Sequence, residues 1–130
     1  MEEKHDLKRY SRDILRKIGE GFQIEITCKE LLEKDSKDKY YSKILKSGFD
    51  YSCNGVDFDR FITSAEIRLN YQKLNTLAKV RRAISHELAH LFPDKKSFVA
   101  RWSFWNKNLK KFEEGLHETV KWSSSSVEGS

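Results

Sequence analysis

The chain has 130 residues, with 25 Lys and Arg against 20 Asp and Glu, a formal charge of +5, and 38% of its residues are hydrophobic. That length fits one domain with one core, and eight Phe, five Tyr and three Trp exclude a disordered chain. No run approaches the ~18–20 consecutive apolar residues of a membrane span, the polar start Met1 to Asp6 predicts no secretory signal, and Cys28 and Cys53 are too few for a disulfide framework.

The thiols are expected to stay reduced, in the cytoplasm. The basic surplus is dispersed among acids: Lys34-Asp35-Ser36-Lys37-Asp38-Lys39 is a solvated mixed-charge stretch. It is not a phosphate-binding stripe, so no nucleic-acid partner is expected.

Leu7, Tyr10, Ile14, Leu15 and Ile18 recur at helical spacing, which predicts a helix over Leu7–Ile18 that Gly19 or Gly21 ends. Phe22 to Cys28 alternates apolar and polar, the pattern of a strand half buried on one face. Lys29 to Lys46 carries Leu31, Leu32, Tyr40, Tyr41, Ile44 and Leu45 and reads as one or two short helices, broken near Asp35-Ser36, with Gly48 closing the piece. Asn54-Gly55, between Phe49–Cys53 and Val56–Phe58, signals a hairpin with a type I′ turn.

Phe61 to Tyr71 alternates cleanly, with polar Ser64, Glu66, Arg68 and Asn70, and predicts a strand. It is either an edge strand able to pair with an extended peptide or an interior strand of the same sheet. From about Thr76 the period becomes helical, with Leu77, Val80, Ile84, Leu88 and Leu91 in one stripe stopped by Phe92-Pro93. A last helix runs from about Ser97 to Trp122, with Phe98, Trp102, Trp105, Leu109, Phe112, Leu116 and Val120 on one face. The expected architecture is α+β: an N-terminal helix, a mostly antiparallel sheet of three or four strands, and two helices. One domain spans residues 1–122, and residues 123–130 form a flexible Ser-rich tail.

The penultimate helix contains His86-Glu87-Leu88-Ala89-His90, an H-E-x-x-H. Residues four apart on a helix share a face, so the two imidazoles can grip one metal ion. Glu87 is placed to reach a water on that ion and take its proton. The histidines fall on one flank of the apolar stripe, so they face a cleft while Ile84, Leu88 and Leu91 pack inward. The bland alternative is a surface helix with two solvated histidines.

A catalytic zinc site uses three protein ligands and a water. Glu113, Glu114, His117 and Glu118 follow downstream, with Glu113 at the edge of the apolar face and Glu114 pointing outward. Glu113, Glu114 and His117 are all candidate third ligands. His86 to His90, followed by Glu114-Gly115-Leu116-His117-Glu118, resembles the gluzincin metallopeptidases, and in length and layout is similar to the minigluzincins.

The resemblance covers roughly Phe61 to Trp122. It implies a zincin-like fold holding Zn2+ on His86, His90 and Glu114, with Glu87 as general base in peptide-bond hydrolysis. Glu118, one turn beyond Glu114, would orient a ligand histidine. His117 or a tyrosine would steady the oxyanion. His86 to Trp102 is also similar to SprT-like proteins, but Asp94, Lys95 and Lys96 stand where those carry a third His, so Asp94 would have to serve.

The expected activity is therefore zinc-dependent cleavage of a peptide or protein substrate. Latency or self-association through a terminal segment is part of that expectation. The rivals are a catalytically quiet metal-binding or regulatory module of the same fold, and a basic nucleic-acid-binding protein in which the H-E-x-x-H is incidental.

Overall fold

The computed structural model describes residues 4–32, 41–52, 58–93, 96–114 and 116, with the backbone alone at 4–5, 49–52 and 58–61. In chain order come α1 (Lys4–Phe22), β1 (Glu25–Glu30), β2 (Ser42–Ser52), β3 (Phe58–Leu69), α2 (Leu77–Leu91) and α3 (Phe98–Glu114), an α+β domain. Cys53, the Asn54-Gly55 turn, Asp94, the continuation of the last helix to Trp122 and the Ser-rich tail lie outside the described residues.

The strands form one sheet in the order β1-β3-β2. β2 runs antiparallel to β3, from Ser42 opposite Leu69 to Ser52 opposite Phe58, with an irregularity between Ser47 and Gly48. β1 lies on the other edge of β3 and runs parallel to it, Glu25 opposite Ser64 and Glu30 opposite Leu69. The sheet, expected to be mostly antiparallel, is thus mixed, with one antiparallel and one parallel pair. β3 is the central strand, so the edge-strand role considered for Ala65 to Tyr71 falls instead to β2, which lies against α2.

The α1 helix does not end at either glycine. It continues to Phe22 and closes at Gln23, whose φ of 59° is left-handed. The Gln23 N–H bonds to the Glu20 carbonyl at 3.4 Å and the Ile24 N–H to the Gly19 carbonyl at 2.9 Å, the paired closure of a Schellman end. Gly19 serves a different purpose. A Cβ there would stand 2.3 Å from the Ile24 carbonyl oxygen and 3.2 Å from Ile26 Cγ1, so the chain entering β1 can pass only over a residue with no side chain. Gly19→Ala is expected to destabilise the domain by about 1–3 kcal/mol through overpacking, although Ala is the better helix former. A thermal melt at or above the wild-type midpoint would contradict this.

The helices expected between Lys29 and Lys46 are not found over 42–46, which is strand. Ile44 turns its side chain partly inward while Leu45 is 40% exposed, so two adjacent apolar residues lie on opposite faces of an edge strand. Pairing with β3 decides the conformation there, and local pattern does not.

The core is continuous. Leu7, Tyr10, Ile14, Leu15 and Ile18 of α1 meet Ile26, Ala65, Ile67 and Leu69 of the sheet, Val80, Ile84 and Leu88 of α2, and Trp105 and Leu109 of α3. Among the described residues no helix is long and apolar enough to cross a membrane.

Candidate metal centre

The ends of α2 are fixed locally. Thr76 caps its start by accepting the Lys79 N–H at 3.2 Å, the Phe92 N–H closes its end on the Leu88 carbonyl at 2.9 Å, and Pro93 cannot extend it. Ile84, Leu88 and Leu91 are buried while His86 and His90 are exposed, as the flank position of the histidines requires.

Their two Nε2 atoms stand 3.2 Å apart. Two imidazole nitrogens, each ~2.0–2.1 Å from a tetrahedral zinc, are separated by roughly 3.3 Å, so the pair presents two ligands at the spacing that ion needs. Phe98, at the start of α3, lies against both rings, with centroids 4.9 Å from His86 and 4.7 Å from His90. It packs on both rings. Burial, then the neighbouring His86, hold His90 below the ordinary imidazole range, which favours the neutral form a metal requires. The last turn of α2 is covered by cations: Lys46 Nζ donates to the His90 carbonyl at 3.3 Å and Arg101 Nε to the Ala89 carbonyl at 3.0 Å.

Glu87 points the other way from bulk solvent, only 3% exposed, and its carboxylate accepts a hydrogen bond from the Ser42 hydroxyl at the start of β2. His86, Glu87 and Ser42 share the wall of a cavity of about 540 Å3 with Tyr41 and Trp102. Of the tyrosines with described side chains, Tyr41 lines this cavity. Tyr10 and Tyr71 are committed elsewhere, to Glu113 and to Cys28.

The structure gives Glu113 a different task from metal binding. It is 4% exposed and receives the Arg81 guanidinium through two bonds, Nε to Oε2 at 2.6 Å and Nη2 to Oε1 at 2.7 Å. The Tyr10 hydroxyl adds a third at 2.6 Å. The triad ties α1, α2 and α3 together. Burial, then the Glu113 charge, push the Tyr10 hydroxyl well above its usual range, so it remains a donor. Arg81 therefore turns inward to this pair, whereas its neighbour Arg82 is exposed.

Glu114 is exposed on the last turn of α3 and is not brought to the imidazole pair. Among the described residues no group of three or more His, Cys, Asp or Glu side chains is gathered. His117 and Glu118 lie outside the described residues. The structure pairs His86 with His90 and sets Glu87 beside His86 on one cavity wall, and it adds Ser42 and Phe98, which sequence reasoning missed. Phe98 carried a signal as the first member of the apolar face of α3. Ser42 carried none. Compared with protein-family models, with curated proteins and with solved structures, the chain matches none of them.

Proposed function

We propose that the chain is a zinc-dependent peptidase. The observation that carries this reading is the 3.2 Å separation of the His86 and His90 Nε2 atoms, beside a buried Glu87 that opens on the same cavity. Two neutral histidines joined by an N–H···N hydrogen bond would also meet at this distance, but that does not account for a buried carboxylate on the adjacent residue whose hydrogen-bond partner, among the described residues, is a serine hydroxyl.

His86 and His90 would hold the ion through Nε2, and Glu114 is our proposed third protein ligand, reaching the pair only by a shift of the end of α3, where it stands exposed and apart from the histidines. When bound, zinc would acidify a water and polarise a peptide carbonyl. Glu87 then has two duties, both at its carboxylate: to accept a proton from the attacking water and to deliver it to the departing amine. Ser42 holds that carboxylate in place, and Tyr41, the tyrosine on the cavity wall, would steady the oxyanion. The outer edge of β2, which no strand pairs among the described residues, would offer main-chain groups to an extended peptide.

The expected setting is the cytoplasm. Cys28 is a free thiol there, and burial pushes it up to about 11, so it stays protonated and unreactive.

The test is proteolysis of an unfolded substrate such as casein by the zinc-loaded chain. Cleavage should stop on chelation and return with added zinc. A zinc-loaded, folded chain that cleaves neither casein nor short peptides, before or after trimming of residues 123–130, would overturn the reading and leave a quiet metal-binding module.

A further inference from the structure

The α2 helix carries more than the imidazole pair on its cavity side. Lys79, Arg82, Ala83 and His86 follow one another at i, i+3, i+4 and i+7, one face of the helix, and all four line the cavity of about 540 Å3. The cavity is apolar between them, with buried Leu74 and Ala83, and with Trp102 fixed by its indole N–H on the Arg82 carbonyl at 3.3 Å.

Arg82 is exposed, and its guanidinium has no hydrogen-bond or ion-pair partner among the described residues. Lys79 reaches Asn75 Oδ1 at 3.1 Å, a neutral partner that leaves its charge uncompensated. The carboxylate lining this cavity is Glu87, which is turned toward Ser42. Two cations thus rim an apolar pocket and, among the described residues, lack an anion.

We propose that this pocket selects substrates by a carboxylate, bound at Arg82 with Lys79 in support; the proposal rests on the peptidase reading for its place in catalysis. Arg82 stands one helical turn from His86, roughly 6 Å along the axis. An extended peptide advances about 3.3–3.4 Å per residue. A carboxylate on Arg82 therefore belongs to a residue one or two places from a bond held at the imidazole pair. A guanidinium fits such a group through two parallel bonds, and the apolar wall accommodates the methylenes that carry it. The carboxylate has two sources, an Asp or Glu side chain or the free end of a peptide.

The experiment measures binding, so it does not depend on turnover. Dansyl-labelled hexapeptides identical except for Glu or Gln at the third position, both C-terminally amidated, are titrated with the full chain by fluorescence anisotropy at low salt. A third probe carries Gln and a free C-terminus. The Glu peptide is expected to bind about tenfold more tightly than its Gln counterpart, the scale of one charge-assisted contact. The preference should fall below twofold in Arg82→Gln and at high salt.

If the free-ended Gln peptide takes the place of the Glu peptide, the carboxylate is that of the chain end. Equal or undetectable binding of all three probes, or a preference that survives Arg82→Gln, overturns the proposal. A preference in a chain that cleaves nothing sinks the peptidase reading and leaves the pocket standing. Cleavage without any preference does the reverse.

Discussion

Replacing Glu113 by Ala is expected to cost about 3–5 kcal/mol of folding stability, the scale for breaking a buried charge pair by removing one partner. The physical reason is what remains behind. The Arg81 side chain is 22% exposed and loses both of its carboxylate bonds, while the fully buried Tyr10 hydroxyl loses its acceptor. Urea unfolding measures the loss, and the triple variant Tyr10→Phe, Arg81→Met, Glu113→Leu should recover much of it, because an apolar set leaves no member of the triad unsatisfied.

The same variants separate structure from metal binding. Folded Glu113→Ala should bind zinc within about threefold of wild type, and Glu114→Ala should lose tenfold or more, the scale at which mutations around a metal ligand act. A wild-type melting curve for Glu113→Ala would contradict the triad. A large loss of zinc affinity in that variant, with Glu114→Ala unaffected, would exchange the roles of the two acids.

The second large effect is expected at Glu87. Glu87→Gln keeps the shape of the side chain and its bond to Ser42 but cannot take up a proton. Hydrolysis should fall by about 10²- to 10⁴-fold, the usual contribution of a positioned general base, while zinc stays bound, since Glu87 is not one of the proposed ligands. Parallel measurements of metal content and peptide turnover check both halves. Undiminished turnover in Glu87→Gln removes the general base from the account, and loss of zinc would make Glu87 a ligand.

Both predictions concern residues that the sequence marks to different degrees. The H-E-x-x-H on a capped, Pro-terminated helix is legible because a 3.6-residue stripe fixes which side faces the core, and the histidines fall beside it. The alternation in β3 is legible for the same reason at period two, with Ala65, Ile67 and Leu69 buried. The triad was half visible. Tyr10, Arg81 and Glu113 each occupy a position within the apolar stripe of their own helix, and a charge placed there must find a partner. What pattern cannot supply is which partner, because that depends on how three helices meet.

The last part of β2 was legible as one arm of the expected hairpin, Phe49 to Ser52 pairing antiparallel with β3, but its first part, from Ser42, was hidden. It is an edge strand with Leu45 outward and Lys43 and Lys46 exposed, so it lacks the clean alternation of a half-buried strand, and with it went Ser42 and the cavity wall. Gly19 looked like a helix stop because glycine is common there, whereas its role is to let β1 cross a buried helix.

The measurement that bears most directly on the central claim is zinc titration of chelator-free protein by calorimetry, with His86→Ala and His90→Ala beside the wild type. The account predicts one zinc per wild-type chain and no such site in either variant, with the folded state of each confirmed by circular dichroism. A wild-type chain that takes up no zinc, or variants that take it up as well as the wild type does, would contradict it.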